Sequence, residues 1–223
     1  MPASLHQKWS HFQGELPLLV LPEVLLLPYS CRPVQISAQL LMYLRQRPEP
    51  QLLGLATYEP GWECRNDLAL APIHEQGCLA EFTVSAGSNT DQAVLLLRGV
   101  GRMRLSNVRT HAAVTLAQVV AVPDRYPSPP AIDRGRRREE LLQLFGQSCD
   151  GTASALVAST LQHELSLGYL SDLLAQNLDL PQAAMLELLD TANVDYRSDL
   201  LLDHLRADAR ATRGGYPPGF SHN

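Results

Sequence analysis

The chain has 223 residues, of which 45% are hydrophobic and 18% charged, and its formal net charge is −5. These values are typical of a soluble globular protein with one large domain or two small ones. Its basic residues are seventeen arginines and a single lysine, Lys8, which lies in a polar stretch outside any GxxxxGK[ST] pattern. The sequence therefore excludes a P-loop ATPase and argues against a Ser–Lys nucleophile, which needs a buried lysine.

The four cysteines and seven histidines do not follow the spacing of a metal site. No CxxC, HxxxH or HExxH pattern occurs. This favours free thiols in a reducing compartment over a zinc site or a disulfide framework. We therefore expect a cytoplasmic protein without a metal or a cofactor.

The N-terminal region combines a polar segment with a proline-rich apolar run. Residues 1–14 are predicted to form a flexible tail. The run 16–28 is apolar enough to suggest a membrane segment or a signal peptide, but three prolines and Glu23 interrupt it. The run instead predicts two short buried strands, 16–21 and 24–27, and no membrane attachment.

Residues 15–122 carry mainly strand signals and one helix. Ser37 is a candidate N-cap of a helix that extends to Gln46, with leucines repeating on one face. Gly99 and Gly101 predict a bend or bulge between two strands. The strand-like runs of this region are rich in β-branched or alternating apolar residues, and they cover 51–58, 77–85, 92–98, 100–108 and 112–122.

A linker with four closely spaced prolines, 123–132, separates this region from a helical one, 133–207. Asp133 and Asp195 are candidate helix N-caps. A disordered tail is predicted over 208–223. The helical period predicts helices over 133–147, 153–166, 169–177, 181–191 and 195–207.

Five partial motifs follow one another along the chain, and their order is more informative than any one of them. The first is the Leu/Pro run at 16–28, and the second is a strand after the first helix, at 51–56. A "G-x-x-A-x-I"-like strand follows at 77–82, a "G-x-x-R-x-x-I"-like element at 99–105, and closing helices at 173–205. This succession resembles the N-terminal, substrate-binding domain of Lon-type proteases over about residues 15–206. One departure is the stretch 30–36, which is more polar than the apolar strand usual in that family.

The resemblance implies an α+β fold, in which a small PUA-like β-barrel with one inserted helix is followed by a C-terminal α-helical bundle. It also implies a non-enzymatic module that recognises proteins or exposed peptide segments. Lon proteases continue into ATPase and peptidase modules, and we expect this chain to stand alone. An adaptor or chaperone-like role stays open, as does a separate protease or ATPase as partner.

Four side chains are candidate peptide-binding residues. Tyr58 and Trp62 flank a Pro-Gly loop, and such aromatic residues anchor many interfaces, although Trp62 folding back over the core is the simpler alternative. Arg102 and Arg104 share one face of a strand and would suit carboxylate groups. The alternative for these arginines, and for Arg98, is pairing with acidic residues of the same chain.

Two alternative functions follow from other parts of the sequence. The arginine-rich run 134–138 suggests RNA binding, which some PUA-like barrels perform, but the region after it is strongly acidic and would repel phosphates. His163, Glu164 and nearby serines suggest a hydrolase, but no GxSxG elbow accompanies them. The sequence therefore favours protein binding over nucleic-acid binding and predicts no catalytic residue.

Overall fold

The computed structural model describes seven segments of the chain, which together form an α+β fold with six strands and five helices. The described residues are 9–22, 24–47, 51–62, 71–85, 92–111, 114–148 and 165–214. The strands are β1 Gln13–Val20, β2 Cys31–Ser37, β3 Leu52–Ala56, β4 Gln76–Val84, β5 Gln92–His111 and β6 Val114–Val122. The helices are α1 Ala38–Arg45, α2 Arg134–Ser148, α3 Leu167–Gln176, α4 Gln182–Asp190 and α5 Val194–Gly214.

The six strands form one sheet whose pairings close into a circuit. The order is β2-β5-β4-β3-β1-β6, and β6 pairs again with β5. This is possible because β5 is 20 residues long, so that its first half pairs with β2 and its second half with β6. The strands contribute buried apolar side chains to two clusters, and α1 adds its Leu41 and Leu44 to one of them.

The glycine pair in β5 marks a bulge, as predicted, but within one strand rather than between two. The register with β4 steps from Leu79–Gly101 to Ala80–Gly99 and leaves Val100 without a partner in that ladder. A Cβ atom on Gly99 would lie 2.4 Å from the Leu27 carbonyl oxygen, so the close approach of these backbones requires glycine.

Only the first of the two strands predicted in the Leu/Pro run is present in the structure. The structure confirms the first predicted strand within β1, but residues 24–27 form no strand, and that prediction is wrong. Leu26 packs into the sheet core, whereas Leu25 and Leu27 pack into the core of the helices. The Gln176 side chain, rather than a strand, accepts the Leu27 N–H at 2.9 Å. This run therefore lies between the two layers and contributes to both.

The polar stretch that departs from the family pattern forms β2, which the sequence did not predict. It pairs with β5, and its exposed residues alternate with buried Val34 and Ile36. The helix after it begins as predicted, since the Ser37 hydroxyl accepts a hydrogen bond from the Leu40 N–H at 3.3 Å.

Helices α2 to α5 share one core, formed by buried side chains such as Phe145, Leu174 and Leu201. Asp133 caps α2, because its side chain accepts the Arg136 N–H. The predicted helix 153–166 lies mainly outside the described residues, and its two described residues, 165 and 166, are not helical.

Three predictions about helix ends and tails differ from the structure. Asn193, not Asp195, caps α5, because the Asn193 side chain accepts the N–H groups of Asp195 and Tyr196. Helix α5 continues to Gly214, past residue 208, where the disordered tail was predicted to begin. At the other end Trp9, in the predicted flexible tail, is buried and its indole N–H donates to Glu81 at 3.0 Å.

Candidate functional site

A cluster of four charged side chains joins the sheet to the helices. Arg102 of β5 donates from both terminal nitrogens to the two oxygens of Asp172 in α3, at 2.8 and 2.6 Å. Arg197 of α5 donates to both oxygens of Asp124 at 2.9 Å, and Arg102 reaches Asp124 at 3.3 Å. The exposed fraction of the Arg102, Asp172 and Arg197 side chains is 2% or less. We call these four residues the buried ion cluster.

The buried ion cluster connects the sheet to the helices and is arranged to stabilise the fold. Burial by itself would lower the pKa of Arg102, but the adjacent Asp172 carboxylate raises it above its ordinary value. The remaining Arg102 donors bind the carbonyl groups of Leu188 and Leu189 at the end of α4. Arg102 therefore cannot present a free guanidinium to a ligand, and its predicted role as a peptide-binding residue is replaced by the alternative of pairing with the acidic helices.

Close packing surrounds this cluster. A Cβ atom on Gly168, in the first turn of α3, would lie 2.3 Å from the Asp124 carboxylate and 2.9 Å from the Tyr126 hydroxyl. Tyr29 has a positive φ of 70° and its ring lies 4.1 Å from that of Tyr169. Burial and the neighbouring carboxylates raise the pKa of Tyr29, so its hydroxyl stays protonated.

A second connection between the layers is polar and partly exposed. His74 Nε2 lies 2.7 Å from the Asp190 carboxylate at the end of α4. The hydrogen bond to Asp190 raises the pKa of His74 above its ordinary value, although partial burial opposes the shift. No local pattern predicts this pair, because its members are 116 residues apart in the sequence.

A concave surface lies at one end of the sheet, and none of the four residues of the buried ion cluster lines it. We call it the sheet-end groove; its volume is about 650 Å³, within the range of ligand-binding pockets. None of the described residues that line it carries a formal charge. They are Leu18, Leu19, Val20, Gln35, Ile36, Ser37, Leu40, Tyr58, Ala71, Ile73, Val108, Thr110, Val114 and Thr115.

The structure separates the predicted binding residues. Tyr58 lines the sheet-end groove, and half-buried Trp62 stacks on it with ring centroids 5.3 Å apart. Arg104 is exposed on the outer face of the sheet and does not line the groove. Arg98 pairs with Glu81 across β4 and β5, which is the pairing that the sequence offered as its alternative.

The arginine-rich run 134–138 is largely engaged within the chain. Arg134 donates to Asp195 at 2.6 Å, Arg137 pairs with Asp199, and Arg138 donates to the Leu165 carbonyl group at 2.9 Å. His163 and Glu164, considered for a hydrolase, lie outside the described residues. Among the residues that the structure does describe, no group of His, Cys, Asp and Glu is arranged to hold a metal ion.

A family model for the substrate-binding domain of the ATP-dependent protease La (Lon) matches residues 15–207. The chain belongs to this family. The match spans the sheet and all five helices described above, except the ends of β1 and α5.

Relatives and solved structures agree with this assignment. Lon protease 2 of Myxococcus xanthus is 25% identical over 198 residues, which is 85% of this chain but only 23% of that protein. The N-terminal domain of a Mycobacterium avium complex Lon protease matches with a TM-score of 0.64 and 20% identity over 86% of this chain and 98% of the other. A Lon N-terminal domain protein from Xanthomonas campestris has a TM-score of 0.59 and 18% identity, with 85% and 98% covered.

The matched region is the substrate-binding part of Lon rather than its catalytic part. Family membership supports a role in substrate recognition. The part of the chain that the structure describes contains no helix long and apolar enough to cross a membrane. The sheet-end groove was missed at the sequence level because its lining comes from separated segments that meet only in the folded sheet.

Proposed function

We propose that this Lon substrate-binding domain is a non-enzymatic module that binds exposed apolar segments of other proteins in the sheet-end groove. The observation that carries the proposal is a groove of about 650 Å³ whose described lining residues are all uncharged, in a chain with a net charge of −5. Such a lining disfavours charged ligands and favours uncharged segments, because a charged group would lose its hydration there without gaining an ion-pair partner among the described residues.

We also propose the architecture that presents this groove. The closed circuit of strand pairings supports a small PUA-like β-barrel over 15–122. The shared apolar core of α2 to α5 supports a helical bundle over 133–207, which the segment 123–132 connects to the barrel. The buried ion cluster would then hold bundle and barrel in one orientation and leave the groove at the far end of the sheet.

On this proposal the protein acts in the cytoplasm as an adaptor or a chaperone-like factor, and a separate protease or ATPase would receive the bound protein. Binding to RNA is the less favoured function. Three arginines of the run 134–138 already bind acceptors within the chain, so their donors are not available to phosphate groups without loss of those contacts.

Photo-crosslinking tests the proposed site. An uncharged apolar peptide with a photoreactive phenylalanine analogue is irradiated with the full chain, and crosslinked residues are located by mass spectrometry. We expect crosslinks in residues 18–20, 35–40 or 108–115, and none with an unrelated acidic protein of similar size. Crosslinks confined to the helices, or equal labelling of the acidic control, would contradict the proposal.

A further inference from the structure

We propose that the sheet-end groove takes its ligand as an added β-strand. An uncharged, extended peptide segment lies between the open edges of β1 and β2 and forms backbone hydrogen bonds with them. This inference rests on the proposed function and deepens it, because it specifies how a segment is held and which segments fit. The groove is lined by the ends of both strands, Leu18–Val20 and Gln35–Ser37.

The first open edge is the end of β1. This strand pairs with β6 only through Pro17, whereas it pairs with β3 through Val20. The Leu21 N–H donates to the Ala56 carbonyl group on the β3 side at 3.0 Å. Backbone groups alternate along a strand, so the N–H and C=O of Val20 point away from β3, to the side on which the described part of β6, which begins at Val114, has already ended.

The second open edge is β2, which ends the sheet order and has β5 as its one neighbour among the described strands. The Gly99 N–H donates to the Ser30 carbonyl group at 2.9 Å, so the backbone carbonyl group of Ser30 faces β5. The facing of the backbone groups then alternates from one residue of β2 to the next. Even-numbered residues of β2 therefore bond to β5, and odd-numbered residues face the free edge. Pro33 occupies one odd position, where its missing N–H costs no ladder bond. Gln35 occupies the next one and lines the groove.

These two edges define the chemistry of the ligand. Val20 and Gln35 each offer a donor and an acceptor, and an extended peptide offers the complementary groups on both of its sides. Its alternate side chains would meet apolar residues such as Leu40, Ile73 and Val108. With no charged side chain among the described lining residues, the fitting segments are uncharged and rich in apolar residues, as in the buried strands of other proteins once these unfold.

A peptide with removable N–H groups separates strand addition from simple apolar contact. The probe is an acetylated, amidated eight-residue peptide of alternating valine and threonine with a fluorescent label. Its partner probe has the same side chains but is N-methylated at every second residue. We expect fluorescence anisotropy to show binding about tenfold weaker for the methylated peptide, through lost hydrogen bonds and steric exclusion from the edge.

Two variants of one residue test the protein side. Gln35→Pro removes the open N–H, as Pro33 already does two residues earlier, and Gln35→Ala removes the same side chain but keeps the N–H. We expect about tenfold weaker binding of the unmethylated peptide to Gln35→Pro and a change of less than about twofold for Gln35→Ala. The thermal unfolding of Gln35→Pro is compared with that of the parent to test whether the variant is folded, and the methylated peptide gives an answer that does not depend on this variant.

The outcomes distinguish the two proposals. Equal affinity of the methylated and unmethylated peptides, with both displaced from the groove by an apolar competitor, would overturn strand addition and leave the proposed function standing. Failure of both peptides to bind, together with failure of unfolded protein to bind, would overturn the proposed function itself. A loss restricted to the methylated peptide and to Gln35→Pro is the result that strand addition requires.

Discussion

Arg102 on β5 and Asp172 on α3 form a two-point hydrogen-bonded ion pair, and the exposed fractions of their side chains are only 2% and 1%. Asp124 and Arg197 extend the pair into a cluster with two charges of each sign. Charge is balanced there only when β5, α3 and α5 are docked together. The contact therefore fixes the relative position of the sheet and the helices.

Loss of Arg102 is expected to destabilise the fold strongly. Arg102→Ala leaves Asp172 buried without its two-point partner, so the free energy of unfolding should fall by about 3–5 kcal/mol. Arg109→Ala, on the same strand, removes an arginine whose side chain is 65% exposed and paired with Glu15, and it should cost less than about 1 kcal/mol. Urea unfolding measures both. Similar losses of unfolding free energy in the two variants would show that the buried ion cluster stabilises the fold no more than an exposed ion pair does.

Gly168 and Gly146 should respond in opposite directions to a single methyl group. Gly168→Ala places a Cβ atom 2.3 Å from the Asp124 carboxylate and should destabilise the protein by about 1–3 kcal/mol. Gly146→Ala, in α2, meets open space and should stabilise the helix by about 0.5–1 kcal/mol. Thermal or urea unfolding compares them, and a neutral Gly168→Ala would contradict the close packing around the cluster.

The His74–Asp190 pair should make stability depend on pH. The hydrogen bond to Asp190 raises the pKa of folded His74 above 6.5, so its contribution is full below pH 6.5 and is lost as the pH rises through the folded-state pKa. The stability difference between the parent and His74→Gln should therefore shrink as the pH rises above 6.5. Urea unfolding at several pH values measures this difference. A constant difference would mean that the protonated pair does not stabilise the fold.

The two described cysteines should differ in reactivity. Burial raises the pKa of Cys78 to about 12, which leaves almost no thiolate near neutral pH, whereas Cys31 is exposed on β2. Iodoacetamide at about pH 8 should label Cys31 and should reach Cys78 only after unfolding in urea. Peptide mass spectrometry reads each site separately. Equal labelling rates in the folded protein would contradict the buried position of Cys78.

Local signals in the sequence identified much of the fold. The Ser37 cap, the Gly99–Gly101 bulge and the helical period of the C-terminal region each depend on residues close in sequence, so a local pattern suffices to find them. The family resemblance then supplied the order of the elements, and the match over residues 15–207 confirms it.

The errors share one cause, which is tertiary contact. Residues 24–27 look like a strand, but their leucines pack alternately into two cores, and Gln176 accepts the Leu27 N–H in place of a strand. Segment β2 looks too polar for a strand, but pairing with β5 buries one of its faces. The sequence left Arg102 open between peptide binding and pairing with the acidic helices, because Asp172, its partner, is 70 residues away. Pairings of that range leave no periodic trace in a single sequence.

The most direct test of the central claim compares two valines on adjacent strands of the sheet. Val108 on β5 and Val120 on β6 are exposed to 40% and 44%, but only Val108 lines the sheet-end groove. Binding of a labelled, permanently unfolded protein is measured by fluorescence anisotropy. We predict that Val108→Asp weakens it by about tenfold, because a charge is placed among uncharged described lining residues, and that Val120→Asp changes it by less than about twofold. Equal binding by both variants would contradict recognition in this groove.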